Sequence, residues 1–219
     1  MDSKRDKKPL LVAITGPSGS GKSHLATATA NSLEHIRIAV SILQLDRYYR
    51  DLSENNPELR GLSNFDHPDA LELSLFKRHL GKIAVGRSVK IPRYNFTLHK
   101  RHKKLERFEP MDVVLLEGLH LMYDHTLRKN YDFCIYLDTT EETCLKRRIF
   151  RDIKIRGRSE SSVRRQYEKW TRPMGEIYVK PLKSIADLVI NGENSIQESI
   201  RRVQKEIKLK LEERNFLGR

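Results

Sequence analysis

The chain is 219 residues long and carries 42 Lys and Arg against 29 Asp and Glu, a net charge of +13. That length suffices for one large domain with a substantial core, and no Pro/Gly/Ser-rich linker divides it, so a single domain is expected over 9–214 behind a loose basic tail, 1–8. No apolar run approaches the roughly 20 residues that cross a bilayer, and Leu10–Ile14 leads into glycines rather than a secretory cleavage site, so a cytoplasmic protein is expected. The charge calls for an anionic partner, whether nucleotide, nucleic acid or membrane surface, and does not by itself choose among them.

Pro9–Thr15 reads as a buried strand, followed by a glycine loop and a helix from Lys22 to Glu34. Further strands are predicted at Ile36–Leu45, Val113–Leu116, Phe133–Leu137 and Leu188–Ile190, each a short β-branched or apolar run. Pro68–Leu80 is predicted as a helix, because Leu73, Phe76 and Leu80 recur at spacings of three and four and Pro68 suits a first turn. Ser88–Pro110 breaks the alternation. There Val89, Ile91 and Tyr94, a basic stretch Lys100–Lys104, and then Leu105–Phe108 predict an inserted β-hairpin. Cys134 and Cys144 have neither metal-ligand spacing nor the number for a disulfide framework. The last helix carries Ile196, Ile200, Val203, Ile207 and Leu211 on one stripe, a face for packing on the domain. Alternating strands and helices require a parallel sheet covered on both faces, an α/β fold.

Gly16-Pro17-Ser18-Gly19-Ser20-Gly21-Lys22-Ser23 fits the P-loop pattern at every fixed position and lies between a predicted strand and helix, as its mechanism requires. Glycines let backbone N–H groups turn toward phosphate oxygens, the helix N-terminus favours negative charge, Lys22 neutralises it, and Ser23 suits Mg²⁺. The loop and the adjoining His24 are therefore expected to bind a nucleoside triphosphate. It leaves the acceptor open.

Ligands of open α/β sheets bind beyond the carboxyl ends of the strands. Asp46 and Glu117 stand at two such ends. Phosphoryl transfer to an alcohol needs a group to take the hydroxyl proton and oxygen ligands for a metal, so Asp46 is the candidate base and Glu117, with Ser23 and Asp46, the candidate metal shell. Arg147, Arg148 and Arg151 crowd like charges at helical spacing, which is unfavourable unless an anion compensates.

With these residues in place the chain resembles the uridine kinases (uridine-cytidine kinases) of the phosphoribulokinase/uridine kinase group, over Leu10 to Asn191. Beside Gly16–Ser23, the segments that carry the resemblance are Asp46–Tyr49, Asn64–Ala70, Pro92–Phe96 with His99 and Arg101, Glu117–Gly118, Arg147–Asp152, Arg156–Arg158 and Ala186–Asp187. It implies a P-loop NTPase-type sheet with an arginine-rich helical lid over 141–160. The implied reaction is transfer of the γ-phosphoryl of ATP or GTP, with Mg²⁺, to the 5′-hydroxyl of uridine or cytidine. Asp46 would be the base, acting beside Lys22 and Arg151. Tyr49, Asp66, Arg148 and Gln166 would position the nucleoside, chiefly its ribose, while Tyr94, Phe96 and His99 would form the base pocket. Arg151, Arg156 and Arg158 would close over the triphosphate. A homotetramer is implied as well, with no nucleic-acid or membrane partner.

Independent chemistry agrees, since a carboxylate with charged donors suits a ribose diol and an aromatic slot suits a pyrimidine. Three residues depart from the family pattern: Arg47 and Tyr48 stand where a small residue and Phe are common, and Asn95 where Asp is usual. A cation beside Asp46 is expected to depress its pKa or attract an anionic acceptor, which keeps a kinase of sugar phosphates or other small alcohols as an alternative. An RNA-binding P-loop ATPase using Lys100–Lys104 is a further one.

Overall fold

The structure, a computed structural model, describes residues 8–51 and 64–217. Of the expected tail, Lys8 alone falls within them. In chain order β1 (Leu10–Thr15), α1 (Lys22–His35) and β2 (Val40–Gln44) precede α2 (Leu73–Ile83), the short strands β3 (Val89–Ile91), β4 (Tyr94–Asn95), β5 (Lys100–Arg101) and β6 (Glu106–Phe108), and then β7 (Val113–Glu117). The second half runs α3 (His125–Arg128), β8 (Phe133–Asp138), α4 (Glu141–Arg156), α5 (Glu160–Gln166), α6 (Arg172–Met174), β9 (Leu188–Asn191) and α7 (Ile196–Leu217).

Five strands form one parallel sheet in the order β2-β7-β1-β8-β9. Alternation along β1 divides the core in two. Leu11 and Ala13 face Phe76, Leu80 and Ile83 of α2. Leu10, Val12 and Ile14 face Leu25 and Leu33 of α1 and the buried Val203 and Ile207 of α7. The expected stripe on the last helix is thus its packing face. Because all five strands run the same way, their carboxyl ends open onto one edge, where Thr15, Gln44, Glu117 and Asp138 finish their strands.

Two elements start several residues later than expected. The strand begins at Val40 rather than Ile36, because Arg37 takes a left-handed φ of +63° and the Ile36 and Ile38 amides both donate to the Leu33 carbonyl, closing α1. Pro68–Ala70 forms a separate 3₁₀ turn. The chain is then held extended at Leu71, since the Arg50 amide donates to the Ala70 carbonyl and the Glu72 amide to that of Tyr48, so α2 starts only at Leu73. That cross-link ties the segment carrying Asp66 to the end of β2.

The inserted hairpin is present as two antiparallel ribbons, β3 with β6 and β4 with β5. Residues 160–185 are almost continuously helical and include two π turns, Tyr167–Thr171 and Gly175–Val179. Helix α7 continues to Leu217, past the expected limit of 214. Arg214 donates to the Lys8 and Pro9 carbonyls and pairs with Asp132, locking the last helix to the start of β1.

Ile207 is fully buried under the sheet. Ile207→Ala is expected to lower unfolding free energy by about 2–5 kcal/mol, the usual cost of such a truncation in a packed core, read as a lower urea midpoint at unchanged slope.

Candidate active site

The glycine loop after β1 turns back on itself through three left-handed residues, Gly16, Gly19 and Gly21. Gly19 is doubly constrained. Its φ is +87°, and a Cβ there would lie 2.3 Å from the Cys144 carbonyl oxygen of α4. The loop is therefore built flush against the helix that carries the arginines. Lys22 opens α1 and donates to the carbonyls of Gly16 (2.9 Å) and Pro17 (2.8 Å). Burial lowers its pKa, while Glu117 and then Asp46 draw it back up. Ser23, next along the helix, donates to Glu117 Oε1 at 2.9 Å.

Asp46, in the 3₁₀ turn just after β2, and Glu117, the last residue of the neighbouring β7, line the same cleft as Lys22 and Ser23, a cavity of about 190 Å³. Burial raises the pKa of both carboxyls. Lys22, Arg156 and Arg151 oppose the rise at Asp46. At Glu117 the Asp46 charge adds to it, while Lys22, Ser23 and Gln44 resist. The expected depression of Asp46 by Arg47 is not found. Arg47 turns to Glu106 of β6 at 2.9 Å, so its charge is neutralised on the hairpin. Tyr48 is buried in the α2 core, with its hydroxyl 2.9 Å from His79 Nδ1.

Helix α4 supplies the cations. Arg148 is buried and donates to Ser18 Oγ (2.8 Å), to Gln166 Oε1 (3.1 Å) and, at 3.5 Å, to Asp66 Oδ1. Asp66 is buried as well, and Thr171 donates to its other oxygen at 2.8 Å. Arg151, Arg156 and Arg158 line the cleft and converge on the fully buried Asp152 at 2.9, 3.4 and 3.2 Å. This carboxylate is the compensating anion that the arginine spacing demanded, and it comes from the same helix. Arg147 does otherwise: it leaves the cleft and donates to the Ser20 and Gly192 carbonyls.

The far end of the cleft is aromatic. Tyr49 packs against Phe65, Tyr94 and Phe96, and Phe65 stacks on His99 with ring centroids 4.5 Å apart. The Tyr94 hydroxyl is buried with no hydrogen-bond partner among the described residues. Arg156 lies 4.8 Å over the Phe96 ring, joining the aromatic end to the arginine end. Arg101 fixes the hairpin in place: it donates to the Tyr49 and Tyr48 carbonyls and pairs with Glu72 at 2.6 Å. Within the basic stretch Arg101 is thus a structural clamp rather than a free nucleic-acid contact. Asn95 caps the hairpin turn, accepting from the Thr97 and Leu98 amides, a task a carboxylate performs equally well.

The cleft brings together Ser18, Gly19, Lys22, Ser23, Asp46 and Glu117 at one end. Tyr49, Asp66, Tyr94, Phe96, His99 and Gln166 gather at the other. Arg148, Arg151, Arg156 and Arg158 lie between them. His24 is exposed on α1 and does not line it. Phe65, Thr171 and Asp152 are the additions. The first and last lie inside segments that carry the family resemblance, but nothing local marks a role for them.

A family model described as the phosphoribulokinase / uridine kinase family matches residues 11–197. The chain belongs to this family. It is 38% identical over 192 residues to a uridine kinase of Erwinia tasmaniensis, covering 85% of this chain and 90% of that one. A uridine kinase of Streptococcus mutans is also 38% identical, over 184 residues, covering 84% of this chain and 87% of the relative. Among solved structures, a candidate fructose transport system kinase of Silicibacter sp. TM1040 superposes with a TM-score of 0.69 at 20% identity, over 87% of this chain and 93% of that one. That likeness shows the fold. Membership of the family makes the protein a kinase that uses a nucleotide phosphoryl donor. Among the described residues no helix is long and apolar enough to cross a membrane.

Gly19→Ala tests the contact between loop and α4. The variant is expected to lose about 1–3 kcal/mol of stability to backbone strain and crowding, and to bind a fluorescent ATP analogue more weakly in direct titration.

Proposed function

We propose that the protein phosphorylates the 5′-hydroxyl of uridine or cytidine from ATP or GTP, yielding the monophosphate. The observation that carries this reading is the cleft itself: Asp46 lines one cavity together with the phosphate loop and with an aromatic box that includes a buried carboxylate, Asp66. In the reaction the nucleoside oxygen bonds to the γ-phosphorus, the bond to the β–γ bridging oxygen breaks, and ADP or GDP departs. Asp46 takes the hydroxyl proton. Lys22, Arg151, Arg156 and Arg158 face the phosphoryl group, where charge is redistributed in the transition state.

Asp66 and Arg148, held by Thr171 and Gln166, suit the ribose diol. Asp66 also discriminates, because an acceptor without that diol would leave a buried carboxylate short of a partner. Tyr49, Tyr94, Phe96 and His99 form a slot for a flat base, and the Tyr94 hydroxyl is available to a polar edge of it. A sugar phosphate fits less well. Arg47, the cation that would have favoured it, is turned away to Glu106.

The donor set near Lys22 fits magnesium. Ser23, Glu117 and Asp46 offer only oxygen, and Mg²⁺ takes one or two carboxylates while keeping waters and phosphate oxygens. Among the described residues no cluster of three or more His, Cys, Asp or Glu could hold a metal unaided, in keeping with a cation shared with the nucleotide. Such a cation would neutralise charge on the phosphates. The protein's part is to orient Glu117 through Ser23 and, among the described residues, to keep Asp46 free of direct ion pairs.

A steady-state panel of uridine, cytidine and several sugar phosphates, with the nucleotide product identified by chromatography, tests the reading. Monophosphate from a pyrimidine nucleoside is expected, and turnover with sugar phosphates alone would sink it. Asp46→Asn is expected to leave ATP binding largely intact and to reduce kcat about 10²- to 10⁴-fold, the usual contribution of a general base. The pH profile is also specified. The base works deprotonated and burial raises its pKa, so kcat/KM should fall on the acid side at a higher pH than for an ordinary aspartate. Asp46→Asn should lose that limb.

A further inference from the structure

Asp152 is the sole acidic residue between 143 and 159, a stretch with seven Lys and Arg. It is fully buried and does not line the cleft, whereas four arginines that do line it gather around its carboxylate. Arg148 and Arg156 stand one turn before and after it on α4, at 3.9 and 3.4 Å. Arg151 precedes it directly, with Nε and one terminal nitrogen each 2.9 Å from Oδ1. Arg158 returns to it because Gly157 ends the helix in a left-handed turn, φ +64°, and the Arg158 amide donates to the Asp152 carbonyl at 3.1 Å.

We propose that Asp152 is a positioning residue that serves as the cluster's own anion, fixing four guanidiniums from behind the cleft and competing for them with a bound polyphosphate. Two consequences follow from its placement. The arginines keep their geometry before any ligand arrives, so less ordering accompanies binding. They also hold the polyphosphate less tightly than their charge alone would allow, which limits ground-state binding while leaving the precise arrangement for the transition state. Asp152 itself touches no ligand and is not a catalytic residue.

This deepens the kinase reading only in taking a polyphosphate as the competing anion, so the test uses inorganic tripolyphosphate, which carries no nucleoside. Full-length wild type and Asp152→Asn are compared by thermal unfolding with and without tripolyphosphate, by calorimetric titration of the same anion, and by turnover. The variant is expected to unfold at a lower temperature alone, to gain more than wild type from tripolyphosphate, and to bind it at least threefold more tightly. Its kcat for nucleoside phosphorylation should fall at least tenfold. Tighter anion binding together with slower turnover is a split that simple loss of folding does not produce. A residue of purely structural value would lower the unfolding temperature by the same amount with and without the anion, and that result overturns the proposal. Should Asp152→Asn fail to fold in anion-free buffer, tripolyphosphate during refolding is expected to restore it, and failure to do so overturns the proposal too. If wild type phosphorylates neither nucleoside, the functional reading falls while the tripolyphosphate comparison still decides the role of Asp152.

Discussion

Guanidinium groups close enough to grip one polyphosphate repel one another, and the cleft depends on how that repulsion is held in check. At an effective dielectric near 20, two like charges about 4 Å apart oppose each other by roughly 4 kcal/mol, so four of them need a counter-ion built into the fold. Asp152 meets that need for Arg148, Arg151, Arg156 and Arg158. The same logic runs across the edge of the sheet. Lys22 rests on two loop carbonyls, Arg148 reaches the buried Asp66, and Asp46 and Glu117 are drawn into a cleft whose cations partly offset the cost of burying them.

A parallel sheet makes this concentration of charge possible. Its strands deliver Asp46 and Glu117 side by side at their carboxyl ends, next to the loop after β1, while the hydrophobic cores above and below hold that edge rigid. The acceptor end is assembled differently, from the Phe65–Asp66 segment, tied to the end of β2 by the Arg50 and Glu72 amides, and from the hairpin, pinned by Arg101 to the carbonyls just after β2. Donor and acceptor ends therefore share one reference frame, and Arg156, over Phe96 and beside Asp152, bridges them.

Much of this was legible in the sequence because it is local. Strands such as Val113–Leu116 and Phe133–Leu137 are unbroken apolar runs, and the phosphate loop is a contiguous pattern between a strand and a helix. The acceptor residues were legible only through resemblance, since nothing near Asp66 in sequence announces that Thr171, 105 positions away, will donate to it. Misreadings have the same origin. Ile36 and Ile38 look like strand residues, but a backbone turn closing α1 takes them first. Arg47 looks like a charge beside Asp46 until the hairpin brings Glu106 to it. Asp152 looked like one more polar residue in a charged helix, because its importance comes from where four side chains end rather than from where they begin.

The central claim is that a single continuous cleft holds a nucleotide phosphate chain and a pyrimidine nucleoside on either side of Asp46. The most direct measurement is the affinity of a compound that joins uridine, through its 5′-oxygen, to adenosine by a polyphosphate chain. If both ends are engaged at once, it should bind about a hundredfold or more tightly than ATP or uridine alone, as expected for two linked ligands in adjoining sites. An affinity no greater than that of ATP would contradict the account, because it would mean that the aromatic end and the phosphate loop do not belong to one site.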